Sequence, residues 1–140
     1  MALSDFTGGQ DFKGGIIPRN SGSILSLSEA GTSGTVLNVA SGSGLVHVCE
    51  IAFSGTSAAS ALNAQTGVTF TLTVNVDGSS STIVATPVLW TDNETSIDKG
   101  ATINVPINAR YTTSFSLTVA ATATTMSTWD ATLRATSSPN

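Results

Sequence analysis

Residues 68–76 read VTFTLTVNV, with Asp77-Gly78 directly behind them. Val68, Phe70, Leu72, Val74 and Val76 fall on one side of an extended chain, and Thr69, Thr71, Thr73 and Asn75 on the other. A period of two is the signature of a strand with one face in a core and one in solvent. Asp77-Gly78-Ser79-Ser80 supply turn residues, and STIVATPVLW follows. This predicts a β-hairpin with a loop of about three to five residues. Pro87 removes a ladder donor from the second arm, so that part belongs at an edge or a bulge.

The same period recurs on both sides of this hairpin. Strands are predicted at Ser23–Leu27, Thr35–Ala40, Gly44–Ser54, Ala101–Ile107, Thr113–Ala121 and Ser127–Ala135. Phe115, Leu117 and Val119 share a face, as do Trp129, Ala131, Leu133 and Ala135. Gly44–Ser54 (GLVHVCEIAFS) is apolar on both sides: strict alternation puts Leu45, Cys49, Ile51 and Phe53 on one face and Val46, Val48 and Ala52 on the other. That pattern predicts a strand covered twice, by its own core and by a neighbour such as a second subunit. Only Ala58–Asn63 has the composition for a helical turn. About eight strands separated by turn residues predict an all-β fold, an antiparallel two-sheet sandwich resembling a jelly roll. The long connections are Thr56–Gly67 and Thr91–Gly100, and the tail Thr136–Asn140 is expected on the surface.

The first 22 residues stand apart, which divides the chain into an extended N-terminal arm (1–22) and a sandwich domain (23–140). The arm carries an echo, DFTGG at Asp5–Gly9 and DFKGG at Asp11–Gly15. It is too rich in glycine for a helix, and Pro18 favours an extended Ile17. Phe6, Phe12, Ile16 and Ile17 need something to cover them. An arm that crosses to a neighbouring subunit or a larger assembly supplies that cover, with Lys13 and Arg19 pairing to an acidic partner surface. The competing expectation is an arm folded back on its own sandwich as an extra strand.

Composition narrows the function. The 140 residues are 10% charged, with a net charge of −4 and only five basic residues. The usual charged share is about 25%. Ser, Thr, Gly and Asn make the polar surface instead, which suits sheets and surfaces packed against other proteins. Nucleic-acid binding needs several clustered phosphate contacts, and Lys13, Arg19, Lys99, Arg110 and Arg134 are scattered. A single cysteine, Cys49, excludes an intrachain disulfide framework and a cysteine-based zinc site. No apolar run approaches the ~18 residues of a membrane span. The N-terminus lacks the basic and apolar regions of a signal peptide, so folding in a cytoplasm is expected.

Candidate chemistry is sparse. His47, Cys49 and Glu50 sit together in sequence. A Cys–His nucleophile needs an orienting group and an oxyanion hole, and the pair reads instead as a core cysteine beside a hydrogen-bonded histidine. Asp92, Asn93, Glu94 and Asp98 gather in one stretch, but their spacing fits no calcium loop, and Lys99 adjoins them. Asn93-Glu94-Thr95 fits the glycosylation triplet, which has no use without export. No cofactor or metal site is expected, and no enzyme. Trp90 and Trp129 each offer a ring that a sugar could stack on, and Trp90, at a strand end with Asp92 and Asn93 beside it, is the more ligand-like of the two.

Three stretches carry a resemblance: SGSGLVHVCEIAF, TFTLTVNVDG and VPINARYTTSFSLTVAA. In this order they resemble small β-sandwich structural proteins of tailed bacteriophages, over Ser41–Ala121. The resemblance implies a virion protein assembled in the host cytoplasm, of the capsid decoration or cement kind, bound to the major capsid protein or another virion protein. By analogy with decoration proteins it implies a homo-oligomer, a trimer. It transfers no site residues and does not cover the arm. The expected docking residues are therefore those of the arm: Phe6, Phe12, Lys13, Ile16, Ile17 and Arg19. The alternative is a tail, neck or fibre component whose sandwich binds a receptor, with sugar at Trp90.

Overall fold

Nine strands fill the computed structural model, which describes residues 24–58, 66–90, 96–124 and 126–139. They are β1 (Leu25–Ser28), β2 (Ser33–Val39), β3 (Gly44–Ser57), β4 (Thr66–Val76), β5 (Ser79–Ala85), β6 (Leu89–Trp90), β7 (Asp98–Tyr111), β8 (Phe115–Thr124) and β9 (Met126–Pro139). The arm lies outside the described residues, as do the AASALN turn beyond Ala58 and Asp92, Asn93 and Glu94.

The strands form two antiparallel sheets, in the orders β1-β9-β3-β7 and β2-β8-β4-β5, with the short β6 beside β4 in the second. The pairs β1–β9, β2–β8, β3–β7 and β4–β5 are those of one long hairpin folded at the β4–β5 turn. Winding that hairpin on itself adds the β9–β3 and β8–β4 pairs and splits it into two sheets. This is jelly-roll topology.

The hydrophobic layer between the sheets follows the period-two pattern. Val68, Phe70, Leu72 and Val74 from β4, Phe115, Leu117 and Val119 from β8, and Trp129, Ala131, Leu133 and Ala135 from β9 are all buried. At one end Phe53 meets Phe70 and Trp90 edge-to-face, each at 6.1 Å between centroids, and Phe70 meets Trp129 at 6.0 Å. Such pairs add about 0.5–1.5 kcal/mol beyond the area they bury. Tyr111 and Phe115 close the other end at 5.5 Å.

Three expectations are corrected. The β4–β5 loop is not three to five residues: Val76 pairs with Ser79 across Asp77 and Gly78 alone, whose φ angles are 51° and 90°. Two positive φ values make the twist of a two-residue turn match that of its strands, and Asp-Gly accepts them at low cost. The tail is not a surface segment, because Ser137 and Ser138 are buried within β9, which pairs with β3 up to Pro139.

The third correction concerns β3. Val46 pairs with Ser137 and Val48 with Thr136, so His47 is an extra residue opposite β9. This bulge shifts the alternation by one. Val46 joins Cys49, Ile51 and Phe53 in the core, and Leu45 is left half-buried on the outside. Much of the apparent second apolar face was a change of phase. Val48 and Ala52 remain outside, both half-buried between their strand neighbours. On the other side of β3, β7 carries its own extra residue, and Asn108 takes a φ of 48° there. Pro87 interrupts the second arm of the hairpin as expected, between β5 and the short β6.

Candidate functional site

The bulge separates the one histidine from the one cysteine. His47 Nε2 lies 2.7 Å from Ser138 Oγ, a hydrogen bond across to β9. Cys49 is fully buried, and burial pushes its thiol up to about 11. A thiol held protonated is neither a nucleophile nor a metal ligand. The two side chains thus do not share a face, contrary to strict alternation, and they form no pair.

Trp90 is placed in the core and not at a binding surface. Its relative exposure is 0%, its indole N–H donates to the Ile97 carbonyl at 2.7 Å, and Phe53 packs edge-on against it. Lys99 Nζ sits 5.8 Å from the ring centroid and donates to the Leu89 carbonyl at 3.3 Å. Sugar stacking needs an open ring face, and these neighbours occupy the space. Of the acidic stretch, only Asp98 is among the described residues. It begins β7, and its carboxylate accepts from Thr56 Oγ1 at 2.6 Å. Among the described residues no group of three or more His, Cys, Asp or Glu side chains could hold a metal ion.

A shallow groove of about 430 Å³ lies over the β7–β3–β9 sheet, at Ser54, Thr56, Gly100, Thr128 and Asp130. Gly100 contributes no side chain, which leaves the depression. Trp129 also borders it, and its indole N–H is buried without a partner among the described residues.

The densest polar constellation is one that the sequence reading passed over as a turn. Asp77 Oδ1 accepts the backbone N–H groups of Thr112, Thr113 and Ser114 at 3.0, 2.7 and 3.1 Å. The Thr113 and Thr112 hydroxyls add bonds of 2.9 and 3.0 Å to its two oxygens. The Asp77 N–H in turn donates to the Ser114 carbonyl at 3.0 Å. These donors, the Thr113 and Ser114 amides foremost, hold the carboxyl well below the usual carboxylate range. Asp77 therefore clamps the β4–β5 turn to the β7–β8 turn. Its signal in the sequence was an Asp-Gly hairpin alongside a Thr-Thr-Ser run 35 residues on.

Charge divides between the sheets. No residue of β2, β4, β5, β6 or β8 is charged. Glu50, Asp98, Lys99, Arg110, Asp130 and Arg134 all belong to the other sheet, where Glu50 pairs in register with Arg134. The outward side of the uncharged sheet is built in cross-strand rows. Thr35, Thr118, Thr73 and Thr82 make one row across β2, β8, β4 and β5. Asn38, Ser116, Asn75 and Ser80 make the next, and Ser33, Ala120, Thr71 and Val84 a third.

The arm residues Phe6, Phe12, Lys13, Ile16, Ile17 and Arg19 lie outside the described residues, so the structure does not locate them. No family model matches the chain, and no curated protein does. Among solved structures it is similar to the VP2 protein of infectious bursal disease virus. A point mutant of VP2 in derived T=1 particles is 16% identical, with a TM-score of 0.40, over 89% of this chain and 32% of that one. VP2 in a subviral particle is 18% identical, with a TM-score of 0.40 and the same coverage. The structure of the Gx strain is 18% identical, with a TM-score of 0.35, over 89% of this chain and 31% of that one. The chain spans about a third of the length of these proteins.

Proposed function

We propose that this chain is a non-enzymatic structural protein of a virus particle, and within that class a decoration or cement protein that binds and stabilises a phage head. The observation that carries the proposal is a jelly-roll sandwich whose polar surface is hydroxyl and amide in place of charge. Charged groups at a contact must shed water at high cost unless each meets a partner. Ser, Thr and Asn shed less, so such a surface suits a protein that lives packed among others. The architecture is one that capsid domains use, though it hosts unrelated functions as well.

In this reading the arm docks. Phe6, Phe12, Ile16 and Ile17 enter apolar sites on the major capsid protein or another virion protein, and Lys13 and Arg19 meet acidic groups at their rim. Many modest contacts repeated over a shell then add through multivalency. The test is a deletion of residues 1–19. The truncated protein is expected to keep its far-ultraviolet circular dichroism and its unfolding transition, and to lose binding to particles stripped of the native protein. Undiminished binding by the truncated protein would overturn the docking arm. Copy number per purified particle separates the two virion readings: a stoichiometry matching the major capsid protein supports decoration, and a handful of copies favours tail or fibre.

A further inference from the structure

We infer that residues 19–24 continue β1 along the rest of β9 in the same chain, so that the arm beyond Arg19 leaves the molecule at the end that carries the Asp77 clamp. The inference rests on the proposed docking arm and names the edge that anchors it and the direction in which it points.

Strand lengths define the edge. β1 begins at Leu25 and pairs with Asp130–Leu133. β9 runs on to Pro139, with β3 along its other side. Among the described residues no strand lies beside Arg134, Ala135 and Thr136 on the β1 side. Such an edge is a template on which another strand can pair.

Burial indicates that this edge is covered. The comparison is between alanines of one sheet that face the core. Ala131, beside β1, is 2% exposed. Ala101 and Ala109 lie on β7, the outer strand at the opposite edge, across from the core residues Phe53 and Val46, and both are only half-buried. Ala135 is past the end of β1, yet it is 0% exposed, and Ser137 further on is buried too. The sealing of β9 thus continues where its described neighbour stops.

Chain continuity identifies the occupant. Ile24 directly precedes Leu25, which pairs with Leu133, so the arm starts beside Arg134. Carried on in the same antiparallel register, Ser23 meets Ala135, Gly22 meets Thr136 and Arg19 meets Pro139. Alternation turns Ser23 and Ser21 inward, small residues opposite the small Ala135 and Ser137. Pro18 then lacks the N–H to go on, at the point where β9 itself ends. Ser, Asn and Gly are weak strand formers. Attachment to β1 compensates, since a tethered segment has a high effective concentration that a second copy would have to match. The exit follows. Pro139 pairs with Gly44, and Gly44 with Tyr111, next to the Thr112–Ser114 turn that Asp77 holds. Phe6, Phe12, Ile16 and Ile17 therefore depart from this end, which is the end that faces the partner.

Disulfide trapping in the full chain is the test. The matched pairs are Ser23→Cys with Ala135→Cys and Gly22→Cys with Thr136→Cys. Consecutive antiparallel pairs alternate between wide and close spacing, so one of the two suits a disulfide. Ser21→Cys with Ala135→Cys, displaced by two residues, is the control, and the buried Cys49 stays in place. On mild oxidation at low protein concentration, mass spectrometry is expected to show an intrachain disulfide in at least one matched pair, formed about tenfold faster or more than in the control, with circular dichroism unchanged. Chains linked in pairs, or no preference for the matched pairs over the displaced one, would overturn the inference. The locked protein is then offered to stripped particles. Binding equal to that of the wild type supports an arm that leaves past Pro139. Binding that is lost on locking and regained on reduction would mean that residues 19–24 must quit β9 to dock, which overturns it. If the lock forms but neither the locked protein nor the wild type binds particles, the strand extension stands and the docking arm falls.

Discussion

The bulge in β3 makes two neighbouring residues exchange roles, and their truncations measure it. Strict alternation assigns Leu45 to the core and Val46 to the outside. The structure reverses them, with Val46 fully buried and Leu45 half-buried on the outer side. Val46→Ala removes two methyl groups from a sealed site, about 1.6 kcal/mol at ~0.8 kcal/mol per buried methylene. The void left between the sheets raises the loss to about 2–3 kcal/mol. Leu45→Ala removes more carbon but from a half-wet position with no closed void, so it costs about 1 kcal/mol. Urea unfolding resolves the difference, since a slope of about 1–3 kcal/mol per molar turns these losses into clearly separate midpoints. Aspartate sharpens the contrast. Val46→Asp should not fold, because the charge would be sealed between the sheets, and Leu45→Asp should. A greater loss from Leu45→Ala than from Val46→Ala would refute the phase shift at His47 and restore simple alternation.

The Asp77 clamp predicts an acid-dependent stability difference. Its folded pKa is depressed, so its contribution is complete above the unfolded carboxyl value of about 3.9 and is lost progressively as pH falls toward the folded value. Asp77→Asn should be less stable than wild type at pH 7, with the gap in urea midpoint narrowing below about pH 4; a gap that stays constant into acid would exclude the clamp. Cys49, with its thiol pushed up to about 11, should react with a disulfide reagent only after unfolding, and stoichiometric labelling of the native protein within minutes would contradict its burial. Trp90 and Trp129 are both buried, so native fluorescence should be blue-shifted and resist acrylamide. Trp90→Ala should cost about 3–5 kcal/mol, and glycans should leave the wild-type emission unchanged; quenching by a glycan together with a stable Trp90→Ala variant would return the ring to a binding role.

The architecture was legible because each strand repeats one rule. Val68–Val76, Phe115–Val119 and Trp129–Ala135 alternate without interruption, and each lies in the structure with its apolar set inward. Errors arose where a rule was broken by one residue. GLVHVCEIAF is apolar enough on both sides that a phase shift leaves no trace in hydropathy, and only pairing partners reveal that His47 is extra. Trp90 was read from its place at a strand end, but ends of strands also cap a core, and the carbonyl that accepts from its indole belongs to Ile97, seven residues on and just before β7. Asp77 was recognised as a turn residue. Its partners at Thr112–Ser114 come from a second turn that topology alone brings near.

The charge partition shows how the same information changes meaning with topology. Along the chain, uncharged and charged strands interleave: β2 and β4 are free of charge, β3 between them carries Glu50, and the whole reads as uniformly low charge. Winding a jelly roll sends alternate segments to opposite sheets, so interleaving in sequence becomes segregation in space. Random placement of a few charges would scatter them over both outer faces. Here the hairpin β4–β5 and its flanks β2 and β8 exclude them from every strand position, and the outward positions that would bear them are Thr, Ser and Asn. A face exposed only to water gains nothing from excluding Lys and Glu, which are the commonest means of keeping sheets from aggregating. Their exclusion from one sheet and retention on the other is the partition on which the proposed assembly role rests.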